Sequence, residues 1–411
     1  MPQTVQAHTL TNGMTLLGEP MEHVQSVAFV FLVPCGSARL PKDASGAGNV
    51  LLDWLYRGAG PRNSRQLIDA LDGLGLHRSC SITSHHLVFG SSLEAGNLAA
   101  ALELNADILL RPRLDEDQFE PSRQLALQEL EGLEDEPRQK VMTLVQEQFY
   151  PDPLGRPSLG RKDDLEKLTT VRLRDIVNRS FHPAGGMFAI AGRYDFDAVC
   201  RQLESFFGTQ PTPASAPIVP GSAGGLYRHV RHEGAQVHIG LITPTIPITH
   251  PDYYHAMAAV SVLSGSMSSR LFTEVREKRG LCYAVGARYQ TLRDLAGISC
   301  YAGTTPDKAQ ETLDVVLAEF RRLREGITQD ELQRALVGLK SSLIMQSEST
   351  ASRSGGIASD FHLLGRVRPL EEIKQQLERL TVDSVGQFLR EHPMDDFTIV
   401  TIGPKEIRMT A

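Results

Sequence analysis

Gly46-Ala-Gly-Asn-Val-Leu-Leu-Asp-Trp-Leu-Tyr-Arg-Gly-Ala-Gly60 is the stretch on which the reading of this 411-residue chain turns. It carries Asn49 and Asp53 four positions apart. In a helix such a pair lies on one face, one turn above the other, and two histidines at that spacing grip zinc. Here an amide and a carboxylate hold those places, with Leu52 beside them.

A second stretch, Ser269-Arg-Leu-Phe-Thr-Glu-Val-Arg-Glu-Lys-Arg-Gly-Leu-Cys-Tyr-Ala-Val285, has the opposite character, because its polar residues are chemically capable ones. Leu271, Phe272 and Val275 recur at helical spacing, Gly280 is a natural stop, and Tyr283 and Val285 then alternate as in a strand. The pattern predicts Arg276 near a helix end and Tyr283 at a strand start, close enough to converge. The plainer alternative is a surface arginine and a half-buried tyrosine.

Taken together, these residues resemble the pitrilysin/insulinase family of inverzincin metallopeptidases, in its mitochondrial-processing-peptidase-like branch. Gly46–Gly58 is similar to that family's Gly-x-x-His-x-x-Glu-His-x-x-Phe-x-Gly segment. Thr11-Asn-Gly-Met-Thr-Leu16, Ser64–Gly75, Leu154–Gly160, Phe181–Met187 and Leu263–Phe272 match further family segments in order along nearly the whole chain. In such enzymes two His and a distal Glu bind zinc, and the Glu inside the motif activates the attacking water. The resemblance puts the first His at Asn49, the general base at Leu52 and the second His at Asp53, so all three are replaced. The distal ligand, about 76 residues beyond the second His in such inverzincins, falls on Glu129, which is retained. The alternative for Glu129 is a solvated helix face, since Glu131, Glu134, Asp135 and Glu136 surround it.

These remnants make a poor zinc site, because an amide oxygen is a weak ligand and Leu52 takes no proton from water. Oxygen ligands from Asn49, Asp53 and Glu129 suit Ca²⁺ or Mg²⁺ better, but nothing else in the sequence completes a shell of about six oxygens. No metal is therefore expected on this chain, and zinc is expected in a partner subunit.

Composition narrows the class. At 411 residues, two domains of ordinary size are expected. No apolar run approaches the ~18 residues that cross a bilayer, so no membrane partner is expected. The opening Met-Pro-Gln-Thr-Val-Gln-Ala-His lacks the basic and apolar regions of a secretory leader. Five cysteines, Cys35, Cys80, Cys200, Cys282 and Cys300, form no Cys-x-x-Cys pair and are odd in number, which favours reduced thiols and a cytoplasmic location. Cys282 lies beside Tyr283 but has no evident histidine partner, so it reads as inert packing. A net charge of −7 argues against nucleic acid.

The chain also reads as a duplication. Ser91–Leu110 followed by Leu114–Phe119 recurs in kind as Tyr301–Leu317 followed by Ile327–Leu332, each copy a strand, a helix, a capped turn and a helix. The Pro/Gly/Ser-rich stretch 208–225 is too poor in packing residues to be an element and reads as a linker. The expected organisation is a domain over 1–207 with the degenerate motif, that linker, and a domain over 226–411 with the Arg/Tyr motif. Runs such as Ser26–Val33 and Gln236–Ile242 open the halves as strands and helix patterns follow. The fold class is therefore α+β: two homologous domains, each a mainly antiparallel sheet with helices on one face, together one half of a clamshell.

What the resemblance implies about function rests on what is kept. In heterodimeric members one subunit carries zinc while the other donates an Arg and a Tyr, here Arg276 and Tyr283, to the substrate backbone and the developing oxyanion. Peptide substrates in this family add to a sheet edge beside the metal. The corresponding strand is read as Ser79–Phe89, with Ser79, Cys80, Ser81, Ile82 and Thr83 in contact with the peptide. His85 and His86 fall within that stretch as ordinary strand polarity. The reading is a zinc-free subunit of a heterodimeric peptidase, with a homologous zinc-bearing subunit and a peptide as partners. Its rivals are a non-catalytic scaffold or peptide-holding homodimer, and an autonomous peptidase with an atypical metal site.

Overall fold

The computed structural model describes residues 4–212, 217–221 and 224–407. Within them the strands are β1 (Gln6–Thr9), β2 (Thr15–Pro20), β3 (Ser26–Val33), β4 (Gly58–Ala59), β5 (Arg62–Asn63), β6 (His77–Ile82), β7 (Leu87–Glu94), β8 (Met187–Gly192), β9 (Tyr227–Arg231), β10 (Val237–Thr245), β11 (Cys282–Thr291), β12 (Ala296–Thr304) and β13 (Thr398–Gly403). The helices of the first half are α1 (Ala47–Leu55), α2 (Ser64–Gly73), α3 (Leu98–Leu110), α4 (Phe119–Gly132), α5 (Pro137–Phe149), α6 (Lys162–Lys167), α7 (Thr170–Ser180) and α8 (Phe196–Phe207). Those of the second half are α9 (Tyr253–Ser264), α10 (Ala309–Arg322), α11 (Gln329–Ser347), α12 (Thr350–Leu364), α13 (Leu370–Glu378) and α14 (Val382–Glu391).

Two sheets organise these elements, one ordered β1-β2-β8-β3-β7-β6 and the other β11-β12-β10-β13-β9. In each, a long central strand pairs antiparallel on both sides (β3 with β7 and β8, β10 with β12 and β13), and one parallel pair follows (β2 with β8, β13 with β9). The same order therefore recurs, and the fold is two similar α+β units, as the duplicated pattern predicted.

The first core is built on one face of the first sheet. Val27, Phe29, Phe31 and Val33 alternate inward from β3 and meet Leu51 and Trp54 of α1, Leu102 of α3, Leu173 of α7 and Leu203 of α8. Ala28 and Val30 point the other way yet are also buried. A strand covered on both faces reads as a continuous apolar run, which is how Ser26–Val33 looks in the sequence. The second core repeats the plan, with Val237, Ile239 and Leu241 of β10 packed on Leu263 of α9, Leu313 and Phe320 of α10 and Phe388 of α14.

The helices are not confined to one face. Compact units form from Met1–Gly132, Asp152–Ser222 and Gln346–Phe361, and from Leu133–Pro151, Ala223–Met345 and His362–Ala411, within the described residues. Helix α5, sequentially part of the first half, packs in the second unit: Val141 and Val145 join Ile242, Tyr301, Val400 and Ile402 on the far face of that sheet. Most of α12, sequentially in the second half, belongs to the first unit, where Arg353 makes a buried ion pair with Glu19 of β2. Of the expected linker 208–225, residues 213–216 and 222–223 lie outside the described residues, and the remainder forms neither helix nor strand.

Candidate functional site

The first-unit site begins with two glycines. Gly46 (φ +93°) caps α1 in the left-handed region and Gly160 (φ +83°) backs onto it; a Cβ on Gly160 would fall 2.3 Å from Gly46 Cα. Only glycine fits at that crossing. From this start α1 buries Val50, Leu51, Trp54 and Leu55, with the indole Nε1–H donating to Asp115 O at 2.9 Å. Burial of that stripe leaves Asn49 and Asp53 on the accessible side.

These residues line a cavity of about 530 Å³ together with Leu52, Tyr56, Arg57, Arg78, Cys80, Ser81 and Glu129. Helix α4 packs on α1 and brings Glu129 to the site. Loss of water against the cavity wall, and then the charge of Asp53, raise the Glu129 carboxyl above its ordinary range. Glu129 thus lines the same cavity as Asn49 and Asp53 while remaining exposed to solvent on α4. Arg57 gives no comparable signal in the sequence: one turn beyond Asp53, its guanidinium makes an ion pair with that carboxylate.

Zinc does not fit this residue set. No imidazole is present, Leu52 has no acid–base chemistry, Asn49 Nδ2 is buried without a hydrogen-bond partner, and a cationic side chain already neutralises Asp53.

The segment Ser79–Phe89 is not one strand. Edge strand β6 ends at Ile82, Thr83 to His86 form a hairpin turn, and β7 resumes at Leu87. The turn is held by Thr83, whose Oγ1 accepts from His86 N at 2.9 Å and whose N–H donates to His86 O. The polar run Thr-Ser-His-His looks like strand polarity in the sequence, but its alternation ends where side-chain-to-backbone bonds favour a turn. Among the described residues His77–Ile82 is paired only with β7, and it is largely exposed, so Ser79, Cys80, Ser81 and Ile82 do lie on a sheet edge, while Thr83, His85 and His86 do not belong to it. Cys80 donates its S–H to Tyr56 Oη at 3.2 Å, and burial raises its pKa, so it is no activated nucleophile.

In the second unit Arg276 and Tyr283 do converge. The guanidinium carbon lies 5.0 Å from the Tyr283 ring centre and 4.8 Å from that of Phe272, within cation–π range. The helix carrying Arg276 is not α but π over Phe272–Glu277, with one more residue per turn than the periodicity suggested. Gly280 (φ +58°) ends it, and its N–H donates to Arg276 O at 3.1 Å. Tyr283 occupies a bulge where the β11–β12 register shifts between Cys282 and Ala284, and it is 82 % exposed. A bulge re-aims the side chain it carries.

Ion pairs brace this segment, the first two with exposed cations and the third largely buried. Glu274 binds Lys278 and Arg279 at 2.7 Å each, and Arg270 binds Glu331 at 2.7 Å. The two donors line a cavity of about 760 Å³ with Phe272, Gln146 and Arg138, the last two from α5. No sequence signal pointed to those α5 residues, because only packing brings that helix to this unit. Cys282 is buried and its thiol is pushed up to about 11, against the pull of Arg276, which agrees with inert packing. All five cysteines are free thiols.

Known families match along most of the chain. Residues 19–162 match the model for insulinase (peptidase family M16), and residues 167–339 match that for the peptidase M16 inactive domain. The chain belongs to peptidase family M16, the insulinase family. Its relatives include an uncharacterized zinc protease of Rickettsia felis, 25% identical over 410 residues (99% of this chain, 100% of that one). Another is the uncharacterized zinc protease YmxG of Bacillus subtilis, 26% identical over 412 residues (97% and 98%). The M16 fold is further supported by a Pseudomonas fluorescens structure described as a peptidase M16 inactive domain, with TM-score 0.87, 21% identity and 99% of both chains covered. A protease structure from Helicobacter pylori aligns with TM-score 0.86 and 19% identity over 98% of this chain and 100% of that one. M16 is a metallopeptidase family, and this member is peptidase-like in fold. Among the described residues no helix is long and apolar enough to cross a membrane.

Proposed function

We propose that this M16 chain is the subunit of a two-chain peptidase whose peptidase motif is zinc-free. It encloses unfolded peptide with a homologous zinc-bearing partner and donates Arg276 and Tyr283 to that partner's site. One contrast carries the reading. The hydrolytic triad is replaced by Asn49, Leu52 and Asp53, and Arg57 occupies Asp53, whereas a half-buried Arg276 and an exposed Tyr283 stand together on a segment braced by ion pairs.

The division of labour follows from the chemistry. A guanidinium and a phenol are preorganised hydrogen-bond donors, and such donors stabilise charge as it develops on a carbonyl oxygen by roughly 3 kcal/mol each. They need no metal of their own, but without an activated water they hydrolyse nothing. The exposed edge of β6 offers unpaired backbone groups to an extended peptide, with Arg78, Cys80 and Ser81 turned to the first-unit cavity. A purely structural scaffold or a peptide-holding homodimer would use that edge but would have no use for an aimed Arg/Tyr pair.

The test is reconstitution. This chain, mixed with a homologue carrying an intact His-x-x-Glu-His motif, is expected to cleave unfolded peptides, and Arg276→Ala and Tyr283→Phe each to lower kcat by about a hundredfold. Full activity of the mixture with both substitutions in place would remove the donor role. Turnover by this chain alone, abolished by Asp53→Asn or Glu129→Gln, would establish the atypical-metal reading instead.

A further inference from the structure

Outside both cavities, three metal-ligating side chains of the second unit meet where the loop before α9 approaches the end of α14. One donor atom from each of His250, Asp252 and His392 lies within 4.8 Å of the others. Zinc bonds of about 2.1 Å hold tetrahedral donors about 3.4 Å apart, so small side-chain rotations close the site. We propose that His250, Asp252 and His392 form a site for zinc or a similar first-row transition dication, separate from the degenerate motif.

The surroundings favour a built site. Asp252 stands at the N-terminus of α9, and its N–H donates to His250 Nδ1 at 3.1 Å, a bond that the Nδ1 lone pair exchanges for one to the metal on binding. His392 stands at the C-terminus of α14, where its N–H donates to Phe388 O at 2.8 Å and its ring packs 5.1 Å from that of Phe388. The two imidazoles meet edge to face, 5.5 Å between ring centres. Asp252 has its Oδ2 3.7 Å from His250 Nδ1 and its Oδ1 3.3 Å from the Nδ1 of His255. That His255 nitrogen is buried without a hydrogen-bond partner, so it is placed either to orient the carboxylate or to supply a fourth ligand. Two imidazoles and a carboxylate suit zinc, copper or nickel and not calcium or magnesium, which take oxygen shells. Binding here ties the start of α9 to the end of α14, two helices of the second core.

Zinc content alone therefore says nothing about the first-unit motif, and the test must separate the sites. The full chain, stripped with a chelator, is titrated with zinc against a chromophoric indicator, and its cobalt(II) absorption spectrum is recorded in parallel. One equivalent is expected, unaffected by excess calcium. The affinity should fall at least about tenfold in His392→Ala and His250→Ala, with loss of the cobalt bands, and remain unchanged in Asp53→Asn and Glu129→Gln. His392→Gln, close to histidine in size, guards against misfolding and is expected to behave like His392→Ala. Binding that is absent, or that survives His392→Gln, or that disappears with Glu129→Gln, overturns the proposal.

Discussion

Replacing Glu331 with glutamine removes one carboxylate from a largely buried ion pair, and the structure says how much that should cost and at what pH. The Arg270 and Glu331 side chains are 8 % and 18 % exposed, and the guanidinium meets the carboxylate through Nε at 2.7 Å and Nη2 at 2.9 Å. Thr328 N–H also donates to that carboxylate at 2.8 Å, and the Glu331 N–H donates back to Thr328 Oγ1, a capping box at the start of α11. Burial by itself raises the carboxyl, but the bonds from Arg270 and Thr328 outweigh it and hold the group at about 2, down from an ordinary 4.5. A depressed folded-state value means stability that is present in full above the unfolded value and lost as pH falls toward about 2. At roughly 1.4 kcal/mol per unit the shift corresponds to about 3 kcal/mol near neutral pH. Arg270 keeps the carbonyls of Arg322 and Gly326, which offset part of the loss, so about 2 kcal/mol is expected for Glu331→Gln. Guanidinium unfolding followed by far-ultraviolet circular dichroism measures it, with the gap between wild type and variant shrinking as pH falls from about 4.5 to 2. A gap below about 0.5 kcal/mol at neutral pH, or one constant down to the acid limit, would refute the reasoning.

Three further outcomes follow from the same geometry. Asn49→His, Leu52→Glu and Asp53→His together should create a zinc site that uses Glu129, seen as one additional equivalent of metal that Glu129→Gln removes; no additional zinc would mean that α4 does not present Glu129 to α1. Gly160→Ala should destabilise the protein by about 2 kcal/mol, since its Cβ would lie 2.3 Å from Gly46 Cα at a left-handed position, and thermal melting checks it. Arg57→Ala leaves Asp53 without its cation beside Glu129, so the Glu129 carboxyl should titrate still higher than in the wild type, measured by carbon-detected NMR; an unchanged titration would separate the two carboxylates.

Legibility of the site varies residue by residue. Asn49 and Asp53 can be placed on one helical face because period and spacing are local properties, and Gly280 can be named as a stop for the same reason. Glu129 is found only through the spacing of a resembling family, since nothing local distinguishes it from the acidic residues around it. Thr83, His85 and His86 look like strand residues because a polar alternation continues into a turn that the Thr83 hydroxyl holds by accepting from backbone N–H groups. Arg57 does not stand out because an i, i+4 pair on an exposed helix face is ordinary until one partner proves to line a cavity.

The sequence by itself determined the α+β duplication, the family, and the absence of imidazoles from the first-unit motif, because strand and helix periods, segment order and side-chain chemistry are written in the order of residues. Tertiary structure alone decided that α5 joins the second unit and most of α12 the first, that a π-turn and a bulge aim Arg276 at Tyr283, and that His250 and Asp252 meet His392. Each of these depends on contacts between residues distant along the chain, which form only when buried surface is shared, and no local pattern encodes them.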